Sequence, residues 1–125
     1  MALYYHVDVC SGSGMLGLAA KIALDGQLRT VAYVEREACA AATLVARMED
    51  KTLDKAPIWD DVCTMHEQEF SEYVLQFRPL IVTAGYPCQP FSQIGKRLGQ
   101  NDPRHIWPQI NAFISKVKPE CVFLE

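Results

Sequence analysis

The sequence predicts an α/β fold built on a doubly wound, mostly parallel sheet of about five strands. Three observations carry that expectation. Apolar or β-rich runs alternate with helical stretches along all 125 residues, the order that generates βαβ units. Gly12, Gly14 and Gly17 form a G-x-G-x-x-G sequence between the first strand and the first helix, a cofactor loop of the Rossmann-like kind. Acids and a thiol also recur just beyond predicted strand ends, where open α/β sheets bind their ligands.

The first strand is the β-rich run Tyr4 to Cys10, closed by Ser11-Gly12-Ser13-Gly14. Glycines there allow a sharp turn and a close ligand approach, and the helix that follows offers unpaired N–H groups at its start. That helix is the apolar stretch Leu18 to Leu24. Thr30 to Val34 is the second strand and ends on Glu35, which lies 18 residues past Gly17. An acid so placed accepts hydrogen bonds from the ribose of a bound adenosine; the alternative is a surface acid at a strand end.

Ala38 to Met48, free of Gly and Pro, is the second helix. Pro57 to Trp59 is a short third strand followed by the acid pair Asp60-Asp61, readable as a ligand group or as a turn or helix cap. Phe70, Tyr73, Val74 and Phe77 fall at i, i+3, i+4 and i+7, the core face of a third helix. Leu80 to Ala84 is a buried fourth strand, and Gly85-Tyr86-Pro87-Cys88-Gln89-Pro90-Phe91-Ser92 follows it.

Two prolines within that segment stiffen it, so Cys88 is offered at a strand's carboxyl end on a constrained loop, although a free cysteine also packs well as a small hydrophobe. Gln93 to Asn101 carries two glycines and two cations without periodicity and reads as a loop. Ile106, Trp107, Ile110, Phe113, Ile114 and Val117 mark the core face of a fourth helix, with Pro108 in its first turn. Pro119 to Glu125 reads as a buried fifth strand ending on an acid.

Composition narrows the function classes. Half the residues are hydrophobic, ample for one packed domain over residues 1–125. No apolar run approaches the roughly 18 residues that span a bilayer, and no signal peptide precedes the first strand. Cys10, Cys39, Cys63, Cys88 and Cys121 are odd in number and contain no CxxC pair, so reduced thiols in the cytoplasm, without a metal site, are expected. Twelve Lys and Arg against fifteen Asp and Glu give a net charge of −3, the wrong sign for a domain that grips phosphates unaided. Lys96, Arg97, Arg104 and His105 make one basic loop within that acidic chain.

The glycine loop and Glu35, taken alone, are as compatible with a nicotinamide dinucleotide as with another adenosyl cofactor. The Cys88 segment decides between them. It resembles the nucleophile motif of the DNA cytosine C5 methyltransferase family, Gly-x-Pro-Cys-Gln-x-Phe-Ser, at every specified position. Asp8-Val9-Cys10-Ser11-Gly12-Ser13-Gly14-Met15 is similar to that family's Asp-Leu-Phe-x-Gly-x-Gly-Gly. Cys10 departs from it where the family has a Phe that packs on the adenine, and Met15 departs at the last Gly. Asp102-Pro103-Arg104 resembles the family's Asp-x-Arg, and Phe123-Leu124-Glu125 the start of its Phe-x-Glu-Asn-Val.

The resemblance implies strand order 3-2-1-4-5 and the amino-terminal part of a catalytic domain, without its target-recognition region. It implies S-adenosylmethionine as cofactor, held by Asp8, Cys10, Ser11, Gly12, Ser13, Gly14, Glu35, Asp61, Val62 and Pro87. Cys88 is the implied nucleophile, Glu125 the acid that hydrogen-bonds the target base, and Arg104 an orienting cation. The implied substrate is cytosine flipped out of double-stranded DNA, with activity only when a missing part or a second polypeptide completes the enzyme. A non-catalytic cofactor-binding or interaction module of the same fold, and a nicotinamide oxidoreductase domain, are the alternatives.

Overall fold

A computed structural model of the chain describes residues 3–85 and 106–125. Along them run β1 (Tyr4–Val9), α1 (Met15–Ala23), β2 (Leu28–Val34), α2 (Ala38–Glu49), β3 (Ile58–Trp59), α3 (Gln68–Leu75), β4 (Leu80–Ala84), α4 (Trp107–Val117) and β5 (Cys121–Leu124). The five strands form one sheet in the order β3-β2-β1-β4-β5. Every neighbouring pair is parallel, with Val7 opposite Ala32 on one side and Val82 on the other. This is the doubly wound arrangement and the strand order expected from the sequence.

Side chains alternate across a strand, so each strand of the sheet feeds two cores. Val7, Val9, Val31, Leu80, Val82 and Ala84 belong to one apolar cluster that also takes in Phe70 and Val74 from α3 and Ile110, Phe113 and Val117 from α4. Ring contacts join it: Phe70 lies 5.2 Å from Trp59 and 5.6 Å from Phe113. Leu44 and Met48 of α2 pack with Tyr33 in a second, smaller cluster. Where α1 crosses the sheet the helix must come close. A Cβ at Gly17 would fall 2.8 Å from His6 Cε1 and 2.9 Å from Asp8 Oδ2, so the third glycine of G-x-G-x-x-G is a packing glycine here.

Several boundaries shift from expectation. β1 stops at Val9 because Cys10 turns into the left-handed region, φ 53°. α1 begins at Met15, three residues early, with Gly14 (φ 84°) as its cap. α3 ends at Leu75, leaving Phe77 to pack on the core from the turn before β4. β5, apolar enough to read as a buried strand, stands at the sheet edge, the place that the order 3-2-1-4-5 gives it. Among the described residues it pairs with β4, and Phe123 keeps 55% of its surface exposed. An apolar strand is buried by its neighbours rather than by its own composition, and an edge position leaves it half covered.

Candidate functional site

All five strand ends are joined in a row by four backbone hydrogen bonds. Glu35 N–H donates to Trp59 O at 2.9 Å, tying β2 to β3, and Ser11 N–H donates to Val34 O at 3.0 Å, tying the glycine loop to β2. Gly85 N–H donates to Val9 O at 3.2 Å, and Glu125 N–H donates to Ala84 O at 3.0 Å. The carboxyl edge of the sheet is therefore one continuous rim, along which the glycine loop, the start of the Gly85 segment and Glu125 are neighbours.

The glycine loop is shaped by three local devices. Ser11 Oγ–H donates to Asp8 O at 2.6 Å, folding the chain back as β1 ends. Gly12 and Gly14 both take positive φ, 56° and 84°, which costs an L residue about 1–2 kcal/mol. At Gly14 a Cβ would also fall 2.7 Å from Leu53 Cδ1. At Gly12 a Cβ would meet nothing within 4 Å, so the loop backbone there borders open space, and Ser13 beside it is exposed.

Glu35 stands at the edge of that open space and is half-buried. One carboxylate oxygen accepts from Gly12 N–H at 2.7 Å and the other from Glu37 N–H at 2.7 Å. The acid thus fixes the glycine loop to the end of β2, and each oxygen retains lone-pair capacity for a further donor. An open glycine backbone beside a fixed carboxylate fits an adenosyl group, with the ribose hydroxyls as donors to the acid.

The other expected residues are distributed as follows. Asp61 Oδ1 accepts from Cys63 N–H at 2.9 Å, and Asp61 O accepts from Thr64 N–H at 3.1 Å; the acid builds the turn after β3, which was the alternative reading of that pair. Val62 packs against the main core. Cys10 is half-buried, and burial beside Glu35 and Asp8 pushes its thiol up to about 12, so it contributes contact rather than a nucleophile. Asp8 lies inside the protein, 1% exposed, beneath α1. Its side chain accepts from Thr83 Oγ1–H at 3.0 Å, while its carbonyl accepts from Ser11 Oγ–H. Pro87, Cys88 and Arg104 lie outside the described residues. Gly85, which opens the Cys88 segment, lies against the loop: a Cβ on it would be 3.9 Å from Cys10 O and from Leu16 Cδ2.

Three polar residues of the sheet were not singled out from sequence: His6, Thr30 and Thr83, all buried. His6 and Asp8 two apart in one strand, and a Thr inside the apolar run of β4, were the available signals. Among the described residues there is no group of three or more His, Cys, Asp or Glu that could hold a metal ion, and no helix is long and apolar enough to cross a membrane.

A doubly wound parallel sheet with strand order 3-2-1-4-5 and a glycine loop and acid at adjacent strand ends is consistent with a truncated fold of the S-adenosylmethionine-dependent methyltransferase class. Within that class residues 4–125 match the family model for C-5 cytosine-specific DNA methylase, and the chain belongs to that family. It is similar to the Type II methyltransferase M.NgoMIV of Neisseria gonorrhoeae, 28% identical over 122 residues, covering 98% of this chain and 35% of that protein. It is also similar to the Type II methyltransferase M.PspPI of Psychrobacter sp. (strain TA137), 32% identical over 124 residues, covering 98% of this chain and 27% of that protein. The chain spans about a third of the length of these curated relatives.

Proposed function

We propose that this chain supplies the cofactor-binding and nucleophile-bearing part of an enzyme that methylates C5 of cytosine in double-stranded DNA, acting in the cytoplasm. The observation that carries this reading is the adjacency of Gly85 to Cys10, since it starts the Cys88 segment beside the loop proposed to hold the methyl donor. S-adenosylmethionine, when bound, supplies an electrophilic methyl group on a sulfonium sulfur.

The chain's own residues have four tasks in this account. Gly12 and Ser13 offer an open backbone for the donor's methionine portion, Glu35 accepts from the ribose hydroxyls, and Asp61 and Val62 border the adenine. Cys88, as thiolate, adds to C6 of the cytosine, which breaks the ring's aromaticity and makes C5 nucleophilic. Glu125 hydrogen-bonds N3 and the exocyclic amine, offsetting charge that builds on the ring. Once C5 carries the methyl group its proton leaves to a base, the C5–C6 double bond reforms and the Cys88 sulfur is expelled. Ring atoms of a stacked base are out of reach, so the cytosine must be flipped out of the helix, with Arg104 orienting it.

The net charge of −3 places most of the DNA grip on other residues, either further along a longer protein or on a second polypeptide. The 125 residues alone are therefore expected to leave DNA unmethylated. The test is covalent trapping on duplex DNA carrying 5-fluorocytosine, where the C5 substituent cannot leave. With S-adenosylmethionine and a chain carrying a recognition region, an adduct forms and Cys88→Ser abolishes it; an adduct that survives Cys88→Ser refutes the assignment. Cys10 standing where the family packs a Phe favours a second reading, a non-catalytic cofactor-binding module. Cofactor binding without any adduct in the completed assembly would establish that reading instead.

A further inference from the structure

Beneath α1 lies a chain of buried polar groups for which the rim has no use. His6 Nδ1 is 2.8 Å from Thr30 Oγ1, and His6 Nε2 is 2.7 Å from Thr83 Oγ1. Thr83 Oγ1 is in turn 3.0 Å from Asp8 Oδ1. The second carboxyl oxygen, Asp8 Oδ2, has no hydrogen-bond partner and faces Gly17. At the opposite end Thr30 N–H donates to Asp54 Oδ2 at 2.9 Å, and the Tyr33 hydroxyl donates to Asp54 O at 2.9 Å. Thr30 and Tyr33 line a small cleft together with Lys21, Thr52 and Asp54.

Counting hydrogens leaves two self-consistent arrangements, because each hydroxyl passes on one hydrogen while accepting another. With Asp8 ionised, Thr83 donates to Oδ1, His6 Nε2–H donates to Thr83, and Thr30 donates to Nδ1. With Asp8 neutral, a proton on Oδ2 would have no acceptor, so it resides on Oδ1 and donates to Thr83. Thr83 then donates to Nε2, His6 Nδ1–H donates to Thr30, and the Thr30 hydrogen turns toward the cleft.

We propose that Thr30, His6, Thr83 and Asp8 form a proton relay across β2, β1 and β4, in which protonation of Asp8 reverses every hydrogen bond and exchanges the two neutral tautomers of His6. The balance is one proton. It enters at Thr30 from the cleft as the Thr30 hydrogen moves to Nδ1, the Nε2 hydrogen moves to Thr83, and the Thr83 hydrogen moves to Asp8 Oδ1. Sealed beneath α1, Asp8 thereby reaches solvent through its neighbours.

The surroundings support a change near neutrality. Burial pushes Asp8 up to about 7, with the Thr83 hydrogen bond opposing and the Glu35 carboxylate adding to the rise. Burial pulls His6 down to about 4 against the pull of Asp54, so its ring stays uncharged throughout. The charged groups toward the Thr30 end are Lys21 of α1 and Asp54, paired at 2.8 Å. α1 presents the Gly17 backbone to Asp8, and β4 presents Thr83.

The test is a nitrogen-15 and carbon-13 NMR titration of the 125-residue chain between about pH 5 and 9, the range in which a tautomer can be followed without charging the ring. His6 is expected to pass from the Nδ1–H to the Nε2–H tautomer as pH rises, with the midpoint of the Asp8 carboxyl shift. Asp8→Asn, whose amide donates to Thr83, is expected to hold Nδ1–H at every pH. A single His6 tautomer throughout the wild-type titration overturns the relay, whether or not Asp8 titrates, so the answer stands even where Asp8→Asn fails to fold. No cofactor or DNA enters this experiment, so its outcome is independent of the methyltransferase reading.

Discussion

The two faces of the central strands follow opposite rules. Toward α3 and α4 the sheet presents Val7, Val9 and Val82, closed by Ile110, Phe113 and Val117. Toward α1 the same strands present His6, Asp8 and Thr83, closed by a glycine. The first face is held by area removed from water, which is additive and forgiving of shape. The second is held by hydrogen bonds whose members are costly when left single. The difference teaches that the face nearer the cofactor loop obtains its order from polar pairing, so its failure should be sharper and pH-dependent.

The largest expected effect is on the apolar face. Phe113→Ala should cost about 3–5 kcal/mol of unfolding free energy in urea, while Phe123→Ala, on the exposed β5 edge, should cost under about 1 kcal/mol. On the polar face Thr83→Val leaves Asp8 Oδ1 and His6 Nε2 without a partner, and about 2–4 kcal/mol should be lost despite unchanged volume. A loss as small as that of Phe123→Ala would show that the two faces do not differ. Gly17→Ala tests how closely α1 is seated: overpacking against His6 and Asp8 should cost about 1–3 kcal/mol by the same measurement.

The smallest effect, and the most specific, is in pH. His6 is lowered from 6.5 to about 4 on folding, so its contribution to stability increases as pH rises between those values. Asp8 is raised from 3.8 to about 7, so its contribution is present at low pH and lost as pH rises toward 7. Folding moves a proton from imidazole to carboxylate, and between about pH 4 and 6.5 the two slopes oppose each other. Asp8→Asn should expose the rising slope and His6→Gln the falling one, each at most about 1.4 kcal/mol per pH unit. Parallel slopes in the two variants would dissolve the pairing.

Much of the rim could be read from the sequence. Gly12 and Gly14 demanded a special backbone, and Glu35 at the end of β2 followed from its distance to Gly17. The interior of the polar face could not. Thr83 sits in Leu80-Ile81-Val82-Thr83-Ala84, a run that reads as uniformly buried, and only pairing with β1 places its hydroxyl between His6 and Asp8. Asp8 was drawn toward the cofactor by its place in the glycine motif, whereas strand alternation turns its side chain under α1. Asp61 carried both its readings, and backbone donors at Cys63 show the turn. For β5 the strand order gave the edge position, whereas its hydrophobicity alone suggested burial, because composition reports what a strand would bury and not what covers it.

The central claim is that the rim formed by the glycine loop and Glu35 receives a sulfonium methyl donor rather than a dinucleotide. Isothermal titration of the chain with S-adenosylmethionine and, separately, with NAD tests it most directly. The expected result is saturable one-site binding of S-adenosylmethionine, weakened about tenfold or more by Glu35→Gln, which removes the charge that the ribose hydroxyls donate to. Preference for NAD, or no heat with S-adenosylmethionine on a folded chain, would contradict the account.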